Sequence, residues 1–246
     1  MKVVIGGSTG FLGTEVLRQA LQHPLTTSVV ALARRDTGLP LDIDSTAAQL
    51  KFKSVACSDF SSYPQDVKDE IADADACIWL IAITPTKSKT YAWEQVRTIC
   101  SDYALSAVDT FAKLPRDGKS EPVRFVYVSG SGAERDASKK PWIMGDYLVM
   151  RGQVEKQILE RAQLSDGRMQ ACVAKPGLIS PPDLGILKKA SRTLMSSLFG
   201  FPLIDKTEMA AALLDQAVNG FAKDTLTNGE LAEIGRKALE KAGTSE

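Results

Sequence analysis

The chain predicts a doubly wound α/β fold, a parallel sheet with helices on both faces and a small C-terminal substrate cap, and three observations carry that prediction. First, Lys2 to Gly13 reads as strand, tight turn and helix start: Val3-Val4-Ile5 run into Gly7, Gly10 and Gly13, and Val16, Leu17, Ala20 and Leu21 then share one helical face. Second, apolar runs of strand length alternate with helical periods along the chain, the pattern of parallel strands joined by crossover helices. Third, Ala76 to Ile83 is apolar throughout, as a strand covered on both faces must be. One core-bearing domain is expected over residues 1–246, with 178–246 supplying the cap and the C-terminal helices.

The glycine turn points to a phosphate. Gly7 suits the positive φ of a tight turn, Gly10 lets the backbone approach a pyrophosphate without a Cβ in the way, and Gly13 lets the helix pack on the strand. With amides at the helix N-terminus facing the phosphates, Gly7, Ser8, Thr9, Gly10, Phe11, Leu12 and Gly13 form the expected cradle of a Rossmann-like dinucleotide site. A turn that merely needs flexible residues is the bland alternative, and the strand before it and helix after it count against that. Ser28 to Ala33 reads as the second strand and ends in Arg34-Arg35-Asp36. A guanidinium pair there suits the extra phosphate of NADP(H), whereas an acidic residue would hold the ribose of NAD(H); NADP(H) is expected, NAD(H) less so.

Residues 37 to 49 show no period and read as an irregular connection. Phe52 to Cys57 gives a third strand and Gln65 to Ala72 a polar helix. The fourth strand, Ala76 to Ile83, empties into Thr84-Pro85-Thr86-Lys87-Ser88-Lys89 at the carboxyl edge, where Thr84 and Lys87 are within the reach expected of cofactor contacts. From Tyr91 to Phe111, Trp93, Val96, Cys100, Tyr103, Ala107 and Phe111 recur at steps of three and four, predicting a long helix with one apolar face. Val123 to Val128 is the fifth strand and Val173 onwards the sixth. Ser180-Pro181-Pro182-Asp183-Leu184-Gly185 cannot form regular helix and is expected to cross the substrate end. Leu187 to Leu198 predicts a helix whose Met195 and Leu198, with Phe199 and Phe201, make an apolar wall. Thr207 to Ala222 predicts another, capped by Thr207, with Met209, Leu213, Leu214 and Ala217 inward.

Thirty basic residues balance thirty acidic ones, so no global field calls for nucleic acid or an anionic membrane, and a small-molecule substrate is the expected partner. No window approaches a membrane span and no signal-peptide core is visible. Four scattered cysteines, Cys57, Cys77, Cys100 and Cys172, suggest buried thiols in a reducing compartment, hence a cytoplasmic protein. With His23 as the single histidine, beside Pro24 in a loop, neither a histidine metal site nor a Ser-His-Asp triad is expected.

Candidate chemistry lies where the fifth strand runs into Ser129-Gly130-Ser131-Gly132-Ala133, followed by Tyr147-Leu148-Val149-Met150-Arg151-Gly152-Gln153-Val154-Glu155. The four-residue step puts Tyr147 and Arg151 on one helical face, where the cation can lower the tyrosine pKa from its ordinary ~10. An ordinary amphipathic pair gives the same spacing.

The G-x-x-G-x-x-G turn, the strand-end serine, the tyrosine and the exit loop Lys175-Pro176-Gly177 together resemble the atypical short-chain dehydrogenase/reductases, in particular the subfamily of the Tat-interacting tumour-suppressor reductase. Asn228 to Arg236 is similar to that subfamily's closing segment. The resemblance implies that Tyr147 moves a proton as hydride moves and that Ser129 or Ser131 orients the carbonyl, Ser131 being slightly favoured. It implies cofactor contacts at Pro176 and Gly177 and a hydrogen bond from adenine to Asp59, which reads equally as a turn residue. The family's Y-x-x-x-K is Y-x-x-x-R here, and an arginine cannot serve a relay that needs it to lose a proton. In the superfamily the long helix pairs across a homodimer; here its apolar face alternatively just covers the sheet. The resemblance implies an NADPH-dependent reductase or dehydrogenase acting on a carbonyl or alcohol of a small apolar molecule. Two rivals stand beside it: an isomerase, dehydratase or cyclase on the same fold, and an NADP(H)-sensing regulator without turnover.

Overall fold

The computed structural model describes residues 1–116, 118–181 and 202–244. Seven parallel strands form the sheet, in the order β3-β2-β1-β4-β5-β6-β9: β1 Lys2–Gly6, β2 Ser28–Ala33, β3 Phe52–Ala56, β4 Ala76–Trp79, β5 Val123–Val128, β6 Met169–Lys175 and β9 Thr225–Thr227. A second, two-stranded parallel pair joins β7 Leu178–Ser180 to β8 Leu203–Asp205. The doubly wound parallel fold read from the alternation of apolar runs and helices is therefore what the chain adopts.

Strand periodicity divides the core into two layers. Val3, Ile5, Val29, Ala31, Ile78 and Val126 point to the face covered by α1 (Gly13–Gln22) and α8 (Lys206–Asn219), with α9 (Asn228–Gly243) packed on α8. Val4, Val30, Cys77, Trp79, Phe125 and Tyr127 point to the other face, covered by α3 (Gln65–Ile71), α6 (Tyr103–Lys113) and α7 (Gly145–Gln163). Trp79 and Phe125 stack there, with Phe60 and Phe111 edge-on to them.

Several elements differ from the sequence reading. The connection read at 37–49 gives way at Thr46 to a helix, α2 Thr46–Lys51, because Ala47, Ala48 and Leu50 favour one and Ala48 finds burial against the core. The fourth strand stops at Trp79, not Ile83: the Leu80 amide still reaches the Gly6 carbonyl at 2.8 Å, but β1 turns away at Gly7 and the ladder loses its partner. The long helix is α5 Trp93–Arg97, a π-helical turn at Thr98–Asp102 and α6 in succession, preceded by the single turn α4 Pro85–Ser88. Trp93 is exposed, contrary to its place in the apolar period, whereas Val96, Cys100, Ala107 and Phe111 are buried. Ala107 and Phe111 cover the sheet, whereas Val96 and Cys100 pack with Ile83 and Tyr147. Asp205, not Thr207, caps α8, accepting the Thr207 amide at 2.7 Å. Pro182 to Gly185 of the expected crossing segment, and the expected helix and wall at Leu187–Phe201, lie outside the described residues.

Candidate dinucleotide and active site

The strand order reverses between β1 and β4, and at such a switch point the carboxyl ends of the strands open a crevice. The glycine turn occupies it. Gly7 adopts φ +90°, and its amide reaches the Leu32 carbonyl at 2.8 Å, fixing the turn beside β2. A Cβ at Gly13 would stand 2.2 Å from the Gly7 carbonyl oxygen, so α1 can begin this close to the turn only with a glycine there. At Gly10 a Cβ would meet the same oxygen at 3.2 Å and little else. Thr9, Gly10 and Phe11 are exposed, and the Phe11 and Leu12 amides meet no backbone carbonyl among the described residues outside helix and strand ladders. The geometry fits the phosphates of a dinucleotide.

The Ser8 side chain has a different task. It is buried and hydrogen-bonded to the Thr37 hydroxyl at 2.7 Å, tying the turn to the chain leaving β2. Arg34 and Arg35 are exposed at the end of β2. Asp59 accepts the Ser61 amide at 2.9 Å, the turn role; the Ser61 amide and hydroxyl, then the Tyr103 phenol, hold its carboxyl below the usual range. Thr84 and Lys87 are exposed around α4.

Tyr147 lies on α7 in a small apolar cluster with Ile83, Val96 and Cys100. Its hydroxyl donates to the Ile83 carbonyl at 2.7 Å, and the Ile83 amide approaches the Cys100 sulfur at 3.2 Å. Burial pushes the Tyr147 phenol up to about 12 against the opposing charge of Arg151. The expectation that Arg151 depresses this pKa is therefore corrected: its pull is present, and desolvation exceeds it. Arg151 is itself 3% exposed. It donates to the Val128 carbonyl at 2.7 Å and the Cys100 carbonyl at 3.3 Å, and lies over the Tyr127 ring at 4.9 Å.

The two strand-end serines are separated by their partners. Ser129 donates to Glu155 at 2.5 Å. Ser131 is exposed, its amide bonded to the Pro176 carbonyl at 2.7 Å, and it opens on a hollow of about 240 Å³ shared with Lys175, Pro202, Thr227, Asn228 and Gly229. Pro176 is buried; Gly177 donates its amide to Asn228 Oδ1 at 2.8 Å, and a Cβ there would strike the Pro202 carbonyl. Asn228 also donates to the Leu203 carbonyl at 3.0 Å, so it fastens the exit loop to β8. Thr37, Ile83, Glu155 and Asn228 are site-supporting residues that sequence reasoning did not single out. Of these only Glu155 left a signal, standing one further four-residue step beyond Tyr147 and Arg151.

Among the described residues no helix is long and apolar enough to cross a membrane, no His/Cys/Asp/Glu cluster could hold a metal, and all four cysteines are free and buried.

No family model matches the chain. Over 160 residues it is 26% identical to the Candida albicans protein "FMP52, mitochondrial", a stretch covering 65% of this chain and 61% of that protein's length. Among solved structures, MoeE5 in complex with UDP-glucose and NAD is similar at TM-score 0.66 and 16% identity, covering 99% of this chain and 82% of the other. Vestitone reductase from alfalfa is similar at TM-score 0.62 and 18% identity over 92% of this chain and 76% of that one. The dTDP-glucose 4,6-dehydratase of Bacillus anthracis in complex with NAD gives TM-score 0.62 and 13% identity over 99% and 81%. At these identities the likeness is one of fold.

Proposed function

We propose that the protein is an NADP(H)-dependent oxidoreductase of the atypical short-chain dehydrogenase/reductase type, acting on a carbonyl or alcohol of a small, fairly apolar molecule. The observation that carries this reading is the β1–α1 turn, where Gly7 at φ +90° and the close approach of Gly13 to the Gly7 carbonyl form a phosphate cradle at the switch point of the sheet. Solved structures of similar fold named for bound NAD support the cofactor class. The exposed Arg34 and Arg35 support NADP(H) over NAD(H), since a guanidinium fork matches a phosphate.

A bound nicotinamide would supply or take up the hydride. The chain's own part would be to hold the substrate and move a proton. Tyr147 would give or take the proton at the substrate oxygen; burial raises its pKa to about 12 and so makes it the weaker acid. To act so, its hydroxyl must exchange the Ile83 carbonyl for the substrate oxygen. Ser131 would donate to the carbonyl. Free thiols at all four buried cysteines support a reducing compartment such as the cytoplasm.

One observation favours a second reading. Both Tyr147 and Arg151 are committed to backbone carbonyls, an arrangement equally suited to an NADP(H)-sensing regulator that does not turn over. Following NADPH consumption against a panel of carbonyl compounds, with NADPH titration by nicotinamide fluorescence and partner pull-down in parallel, tests the proposal. Oxidation of NADPH with any of them upholds it; tight NADPH binding without oxidation shifts the conclusion to the sensor, and no binding removes both.

A further inference from the structure

Beneath the carboxyl edge of β5 and β6 lies a buried carboxylate that the redox reading does not use. Glu155, on α7, is 0% exposed. Its Oε2 receives Arg135 Nε at 2.8 Å and Lys175 Nζ at 3.0 Å, and its Oε1 receives the Ser129 hydroxyl at 2.5 Å. Arg151, on its own helix, and Tyr127, on β5, also lie within electrostatic reach of it. Two cations meet on one oxygen of the carboxylate, and a carboxylate only accepts. The short bond to Ser129 therefore has a single polarity: the serine proton lies towards Glu155.

A hydroxyl has one proton to give. With that proton spent, Ser129 Oγ, half-buried at the edge of the sheet, has only lone pairs left to offer. It cannot donate to a carbonyl oxygen. Ser131, exposed on the neighbouring hollow, keeps that capacity. The choice between the two serines that the sequence leaves open is thus resolved by what lies behind them.

We infer that Glu155 is a positioning residue that locks Ser129 as a hydrogen-bond acceptor, so that the substrate presents a hydroxyl or N–H group beside the reacting carbonyl; the inference rests on the oxidoreductase reading for the word substrate. The ligand class narrows from carbonyl compounds in general to hydroxy-carbonyls and their amino counterparts. An analogue lacking the donor leaves the lone pairs of Ser129 unmatched, and a site built to pair with a polar group discriminates strongly against a ligand without it.

The test uses 2-hydroxyacetophenone and 2-methoxyacetophenone, a pair differing in the one proton, titrated by ligand-observed NMR into the full chain with NADP⁺ present. The wild type should bind the hydroxy-ketone about tenfold more tightly, the scale of one hydrogen bond. In Glu155→Gln the amide can donate to Ser129 and free its proton outward, and the ratio should fall to about one. Ser129→Ala should do the same while retaining the Arg135 and Lys175 contacts of Glu155, so the test survives poor folding of the glutamine variant. A proton spectrum of the cofactor-free protein should show a slowly exchanging, downfield hydroxyl signal that is lost in both variants. Equal binding of the two ketones, binding of neither, or an undiminished preference in Ser129→Ala would overturn the inference. An NADPH titration of the wild type separates the two failures: no NADPH binding sinks the oxidoreductase reading, while the hydroxyl signal still decides where the Ser129 proton lies.

Discussion

The hydroxyl of Tyr147 donates to the carbonyl of Ile83 at 2.7 Å, and that contact fastens α7 to the chain leaving β4. Tyr147→Phe should therefore have two effects. Stability should fall by about 1 to 3 kcal/mol, because the Ile83 carbonyl loses its partner in a buried cluster. Turnover should fall by about two to four orders of magnitude if the same hydroxyl is the acid. Urea melts and NADPH oxidation rates measured on one preparation check both, and a stability loss with unchanged turnover would assign the tyrosine to structure alone.

Arg151→Lys keeps the charge but not the fork. The guanidinium spans the Val128 and Cys100 carbonyls while covering the Tyr127 ring, a span that an ammonium cannot reproduce. The variant should lose about 1 to 3 kcal/mol of stability. If the protein is a reductase, the lysine variant should still oxidise NADPH; loss of all activity in a folded variant would favour chemistry that needs the arginine.

At the glycine turn the second and third glycines should behave differently. Gly13→Ala places a Cβ 2.2 Å from a backbone oxygen and should unfold or severely destabilise the chain. Gly10→Val meets that oxygen only at 3.2 Å, so the protein should fold and yet lose dinucleotide binding. Thermal melts with NADPH titration distinguish them; unchanged affinity in folded Gly10→Val would mean that the turn serves the fold only.

Replacing Arg34 and Arg35 with alanine should weaken NADPH about tenfold to a hundredfold, the range of one or two charge-assisted hydrogen bonds, and leave NADH unchanged. Fluorescence titration of both nucleotides reads the difference. Equal losses for the two would remove the argument for a 2′-phosphate site.

Alkaline pH should destabilise the protein. Tyr147 is raised from its ordinary ~10 to about 12, so the folded state holds this proton more tightly than the unfolded chain. The stabilisation it contributes is full below about pH 10 and is lost as pH rises towards 12. Burial pushes Tyr127 and Cys77 up as well, adding to the same trend. Tyrosinate absorbance should appear together with loss of tertiary circular dichroism, and in Tyr147→Phe stability should fall less steeply with pH above about 10.

Much of the fold was legible from local pattern. The strands Ser28–Ala33 and Val123–Val128 have their read boundaries, because runs of β-branched and aromatic residues between polar turns leave little choice. The glycine turn was legible for a related reason: a positive φ and a Cβ-free approach are demands a sequence can meet only with glycine. The three-residue strands β7, β8 and β9 were not, since so short a segment carries no period and exists only by virtue of its neighbour.

The sequence by itself determined which candidates stand together, placing Tyr147 and Arg151 a four-residue step apart on one helix and Ser129 and Ser131 at a strand end. Only the tertiary structure decided what each of them faces. Helical spacing sets the direction of a side chain but not the group it meets, and hydrogen-bond partners distant in sequence, Ile83 for Tyr147, Val128 for Arg151 and Ser129 for Glu155, are chosen when α7 packs against the strand ends. The same packing removes water, and it is that desolvation, invisible in any spacing, that raises the Tyr147 pKa where its neighbouring cation would lower it.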